Sequence, residues 1–247
     1  ALFILIINKK NMDKMKIFFL NIILILITIL FLCEIDRNFM LLYDFKSYYF
    51  DNFPISILNG IHNSIYRFYE NRILYNVNEF EFHNFLMLNK SNLIIDFNKN
   101  INDFNYEYAH NTTDILDFNK DYKYIRFKQY KFNYTYNLNS CQIIKTLLSK
   151  FNNIQTCFFS IMEKKITIKY HKGPYNGVLR YHFPLIVNNL DECYLEVINK
   201  KIKYDSPFIF DDTFPHQLVK KDDSYKVVLI IDVDNPYSYY FKNYKYI

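Results

Sequence analysis

The sequence predicts a mainly β fold: a barrel or sandwich in the C-terminal third, behind a partly helical front half and one apolar run near the start. Three observations lead there. From Thr156 onward, short segments of alternating apolar and polar residues recur between turn residues, the pattern of strands half buried in a sheet. Between residues 39 and 153, apolar clusters mix with asparagine-rich stretches such as Asn98-Lys99-Asn100, and only two segments show helical spacing. Composition removes the alternatives. A chain that is 51% hydrophobic and 20% aromatic has the side chains for a core and is not disordered. With 3 glycines in 247 residues, it holds neither G-x-G-x-x-G nor a P-loop, which excludes nucleotide folds built on those turns.

The elements follow in order. Residues 1–16 carry Lys9, Lys10, Lys14 and Lys16 against Asp13, three of the five net positive charges. The remainder is close to neutral, so no basic face for nucleic acid is expected. Residues 17–33 read IFFLNIILILITILFLC, without a charge, at the short end of what spans a membrane core of about 30 Å. A signal peptide competes with this reading, but the run exceeds a usual h-region and Glu34, Ile35 and Asp36 follow it where a small-x-small cleavage site would stand. The expectation is an uncleaved single-pass anchor. Lysines before it and acids after it place the N-terminus in the cytosol and residues 38–247 across the membrane, as in a type II protein of the endoplasmic reticulum. Sequons at Asn89, Asn111 and Asn133 agree with a lumenal side, though asparagine-rich chains form such triplets by chance.

Ser56 to Leu74 spaces Ile57, Ile61, Ile65, Phe68 and Leu74 for a helix, and Ser140 to Phe151 suggests a second with Ser140 as N-cap. Strands are expected at Lys165 to His171, Val178 to Val187, Cys193 to Ile198, Phe208 to Asp211 and Lys226 to Val233. Cys141 and Cys157 bracket the second helix and can pair in an oxidising compartment or remain buried thiols. Neither they nor Cys33 and Cys193 form a metal-binding spacing.

Chemistry concentrates in two segments. In the first, alternation puts Thr167, Lys169 and His171 on one strand face; Gly173 to Gly177 supplies the turn; Arg180 and His182 then share a face of the next strand. In the second, Phe210-Asp211-Asp212-Thr213-Phe214-Pro215-His216 adds a histidine, and Lys226, Val228 and Ile230 share one face of the strand that follows. Two imidazoles suit a metal; Arg180 and Lys226 suit a dianion. Asp211 and Asp212 can also be plain turn acids, and Lys226 an edge-strand charge.

The order H-x-G-P-x-N-x-x-L-R-x-H, then F-D-D-[ST]-F-x-H and an apolar strand, resembles the aspartyl/asparaginyl β-hydroxylase family over residues 157–236. The resemblance implies a double-stranded β-helix, jelly-roll or cupin-like, and a dioxygenase using Fe(II) and 2-oxoglutarate. It implies that His171 and His216 bind iron, that Arg180 and His182 contact 2-oxoglutarate, and that Ser160 assists its far carboxylate. Lys226 stands where the family usually carries arginine, which keeps the charge and loses the bidentate fork. Gly173 occupies the place two residues after the first histidine where most 2-oxoglutarate oxygenases carry a carboxylate, so Asp212 is expected to orient a water there. The family's tryptophans are replaced by residues such as Val219 and Ile202. The implied substrate is an Asp or Asn β-carbon in a peptide or protein, with a lipid acyl chain as alternative. A catalytically inactive binding module or another β-barrel metal enzyme remains open.

Overall fold

A computed structural model of the chain describes residues 14, 16–29, 31, 55–67, 69–108 and 121–238. By contact it divides into two compact units, residues 1–69 and 70–247. In the first, residues 16–29 are helical with exposed side chains through 28, and α1 spans Ile55–Arg67. Among the described residues no helix is long and apolar enough to cross a membrane. The anchor expected over 17–33 is therefore not shown: the described helical residues form too short a continuous span, and its last residues, 32 and 33, lie outside the described ones, as do Phe68 and the sequon at Asn111. The helix expected to run on to Leu74 stops at Arg67, because Leu74 is drawn into a strand against Phe210.

The second unit carries β1 (Leu74–Tyr75), α2 (Glu81–Asn100), β2 (Glu107–Tyr108), β3 (Tyr122–Gln129), β4 (Phe132–Asn133), α3 (Thr135–Asn139) and α4 (Gln142–Lys150). Then come β5 (Ile154–Met162), β6 (Ile166–His171), β7 (Val178–Val187), β8 (Cys193–Val197), β9 (Lys200–Lys203), β10 (Phe208–Phe210), β11 (His216–Lys220) and β12 (Lys226–Asp234). One sheet orders its strands β1-β10-β7-β12-β5-β3-β2, with β4 beside β3; the other is β6-β11-β8-β9, and all pairings are antiparallel. From β5 to β8, and again from β10 to β12, successive strands fall alternately in the two sheets. That alternation is the winding of a jelly roll, as the resemblance implies.

Strand periodicity gives the large sheet two different faces. Val227, Leu229, Ile231 and Val233 of β12, with Phe159 and Ile161 of β5 and Tyr181 and Phe183 of β7, join the core under the helices. α2 covers that face with Phe82, Leu86, Leu93 and Phe97, one stripe at helical spacing, and α4 adds Ile144 and Leu147. Phe159 is its hub: its ring meets Phe97 at 5.2 Å and Phe127 at 5.0 Å, edge to face in both cases. Val228 and Ile230 point the other way, into a second core with Leu195, Leu218, Tyr204 and Phe210 between the sheets. Cys141 flanks α4 in place of the expected Ser140 cap and makes no side-chain cap bond. Cys141 and Cys157 are buried free thiols.

Candidate active site

A cavity of about 500 Å³ opens between the sheets. Ser160, His171, Arg180, His182 and His216, each expected from the sequence to take part, line it together. Arg180 and His182 share a face of β7, as alternation requires. His171 needs a correction. Strict alternation puts it opposite Ile168, yet both line the cavity. Opposite β11, His171 pairs with His216 and Ile168 with Leu218, so three steps along β6 match two along β11. The extra residue is a β-bulge, and it turns His171 inward while Tyr170 turns out to bond Glu196.

The imidazoles of His171 and His216 face one another with ring centroids 4.1 Å apart. Each Nδ1 donates to the backbone carbonyl two residues earlier, Lys169 and Phe214, at 2.8 Å. A carbonyl can only accept, so the proton sits on Nδ1 and each Nε2 keeps a bare lone pair. Burial holds both rings neutral: it pushes His171 down to about 4 and His216 well below its ordinary range, helped by the Arg180 guanidinium. Beside them lies Asp212, 2% exposed, with Oδ1 lacking a hydrogen-bond partner. Burial pushes its carboxyl up to about 7 although Arg180 pulls it down. A Cβ on Gly173 would collide with that carboxylate. The missing side chain two residues after His171 therefore makes room for Asp212, and neither Gly173 nor Gly177 needs a positive φ. Asp211 instead closes its own turn, its Oδ1 accepting from the backbone N and hydroxyl of Thr213.

Two neutral imidazoles with bare Nε2 lone pairs fit a divalent metal that keeps open positions. Among the described residues no group of three or more His, Cys, Asp or Glu converges as a ligand set, which leaves the histidine pair as the protein's share.

The anion-binding expectations fare differently. Arg180 donates through Nε and Nη2 to Asp232, at 2.7 and 3.0 Å, and its Nη1 lies 3.1 Å from Asp212. It is engaged by two carboxylates, and Thr156 adds a hydroxyl bond to Asp232 at 2.6 Å. Asp232 is the next residue on the face that carries Lys226, Val228 and Ile230, one further step of the same alternation. His182 is buried, and its Nδ1 shares a hydrogen bond with the Tyr204 hydroxyl at 3.0 Å. Ser160 donates to the Tyr122 hydroxyl at 3.3 Å. Lys226 is 2% exposed and does not line the cavity. Its ammonium sits 3.5 Å from the centroid of the Tyr204 ring, and burial pushes it down to about 8, with Cys193 acting in the opposite sense. Tyr204 thus touches both His182 and Lys226, and no local pattern in the sequence singles it out.

Comparison with known proteins identifies the family. Residues 91–236, more than half of the chain, match the family model described as aspartyl/asparaginyl beta-hydroxylase. The chain is 34% identical over 103 residues to the ornithine lipid ester-linked acyl 2-hydroxylase of Rhizobium tropici, covering 40% of this chain and 37% of that one. It is 31% identical over 98 residues to the human aspartyl/asparaginyl beta-hydroxylase, covering 37% of this chain and 13% of that one. Among solved structures, a prolyl hydroxylase from Trichoplax adhaerens matches at a TM-score of 0.41 and 11% identity, over 60% of this chain and 79% of that one. The chain belongs to the aspartyl/asparaginyl β-hydroxylase family.

Proposed function

We propose that the chain is an Fe(II)- and 2-oxoglutarate-dependent hydroxylase acting on an Asp or Asn β-carbon in a peptide. The observation that carries this is the facing pair His171 and His216, each locked by a backbone carbonyl so that its Nε2 is free, beside the unpaired oxygen of Asp212. Iron with 2-oxoglutarate would supply the oxidation of an unactivated C–H bond by dioxygen. His171 and His216 would hold the metal. Arg180 fixes Asp212 through its Nη1, leaving Oδ1 to accept a hydrogen bond from a water beside the imidazoles. His182 and Ser160 supply the polar side for a dicarboxylate, with Lys226 set behind them against the Tyr204 ring. Phe158, Ile168, Leu195, Leu218 and Ile230 line the cavity with apolar surface that excludes bulk water.

A lipid acyl chain is the second reading, favoured by the 34% identity to an acyl 2-hydroxylase. In both chemistries the oxidised carbon adjoins a carboxyl-type carbon, so the same metal centre serves either. The test is succinate release from 2-oxoglutarate by the purified full chain with Fe(II), repeated with His171→Ala and His216→Ala. Release by the unaltered chain and its loss in both variants is expected. No release, together with iron binding indifferent to both histidines, rules the reading out.

A further inference from the structure

Tyr130 occupies a backbone position that tyrosine rarely takes. Gln129 pairs with Phe132, so Tyr130 and Lys131 form the whole loop between β3 and β4. Of these two, Tyr130 alone has a positive φ, 53°. In that region Cβ crowds the following carbonyl, so two-residue hairpin turns favour Gly, Asn or Asp there. The chain carries a tyrosine instead, although asparagine abounds elsewhere in its sequence. Strain of this kind persists where surrounding contacts impose it, and it gathers at ligand sites. The imposing contact is visible: the Tyr130 backbone N donates to the Gln155 carbonyl at 2.6 Å.

The side chain shows what the strain achieves. Tyr130 lines the mouth of the cavity, 38% exposed, within electrostatic reach of Asp232, Arg180 and Asp212. Around it on β2 and β3 stand Glu107, Tyr108, Tyr124, Arg126, Lys128 and Gln129, without an aliphatic side chain, Arg126 pairing with Glu107 at 3.2 Å; the aliphatic lining comes from β6, β8, β11 and β12. A rim of phenols, cations, a carboxylate and an amide offers hydrogen bonds and ring faces, which suit a peptide better than a hydrocarbon tail.

We propose that Tyr130 contacts the substrate, its strained turn holding the phenol over the Arg180–Asp232 cluster so that the hydroxyl donates to an amide or carboxyl oxygen of a peptide acceptor. This rests on the hydroxylase reading above. The test uses the full chain with Fe(II), 2-oxoglutarate and short Asp-containing peptides, comparing it with Tyr130→Phe and Tyr130→Gly. The glycine variant should melt about 2–4 °C higher, because the strain is released. The phenylalanine variant should melt like the unaltered chain. In both, KM for the peptide should rise about ten-fold, the loss of one good hydrogen bond, with a smaller change in kcat. An unchanged KM in Tyr130→Phe, or no gain in melting temperature in Tyr130→Gly, overturns the proposal while the hydroxylase reading stands. Succinate release with no peptide hydroxylated, or hydroxylation of an ornithine lipid alone, overturns it as well. If the unaltered chain releases no succinate, the hydroxylase reading itself has failed and the role of Tyr130 falls with it.

Discussion

The two faces of the large sheet are built from the same strands and do opposite things. On β12, Val227, Leu229, Ile231 and Val233 face the helices, while Lys226, Val228, Ile230 and Asp232 face the cavity side. β7 repeats the division, with Leu179, Tyr181 and Phe183 on one face and Arg180 and His182 on the other. The helix face holds the fold together through apolar burial; the cavity face keeps buried charges that a stability optimum would not contain. The sharpest way to break the comparison is on the helix face. Phe159→Ala removes a fully buried ring that touches Phe97 and Phe127, and should lower unfolding free energy by about 3–5 kcal/mol in a urea titration. A loss under about 1 kcal/mol would mean that this face is not the core.

On the cavity face, effects should be smaller and tied to charge. Asp232→Ala strips Arg180 of its bidentate partner and Thr156 of its acceptor. Because the Arg180 side chain keeps 27% exposure, the loss should be about 2–3 kcal/mol, below the range for a fully buried pair. Adding Arg180→Met to it should recover part of that loss, since the unpaired cation goes too; a double variant worse than the sum of the singles contradicts a charge-pair origin.

Lys226 should reverse the sign. Its ammonium is pushed down to about 8, against 10.5 for an ordinary lysine, by burial. Below about pH 8 both folded and unfolded chains hold the proton, and folding bears the full desolvation of the charge. Between about 8 and 10.5 the folded chain gives it up first, so stability from this group rises with pH across that window. Lys226→Met should therefore stabilise the chain by on the order of 2 kcal/mol at pH 7. The advantage should shrink as pH climbs from 8 to 10.5. A variant less stable than its parent at pH 7 would show that the Tyr204 ring and Cys193 satisfy the ammonium after all.

The sequence is legible where one face is uniform and opaque where the two mix. β7 emerges with its observed bounds, Val178 to Val187, because the Gly173 to Gly177 turn precedes it and apolar residues dominate it. α2 escapes notice although it is the longest helix of the second unit, because Met87, Leu88 and Ile95 lie on its exposed side and blur the stripe of Phe82, Leu86, Leu93 and Phe97. β3 is hidden by its function: Tyr124, Arg126 and Lys128 face the cavity and make the strand look polar. The site residues follow the same logic. Arg180, His182, His171 and His216 stand in a recognisable order, and alternation extends to Asp232. The inward turn of His171 depends on a bulge, and the covering of Lys226 on Tyr204, twenty-two residues away in sequence; neither leaves a local signal.

The smallest expected effect separates strain kept for function from strain that is merely tolerated. Ile198 and Asn199 form the two-residue turn between β8 and β9, where Val197 pairs with Lys200. Both have positive φ, 44° and 63°, the pattern of a type I′ turn. Asparagine adopts it readily; a β-branched isoleucine does not, because two groups on Cβ crowd the backbone. Ile198 is 40% exposed and lines no part of the cavity. Ile198→Asn should therefore gain about 1 kcal/mol, read as a rise of about 2–4 °C in melting temperature, with succinate release unaltered. Tyr130→Gly should show a similar thermal gain with a weaker KM. If Ile198→Asn also impairs turnover, positive φ in this fold reports only on turn geometry, and the strain at Tyr130 loses its value as a marker of the substrate mouth.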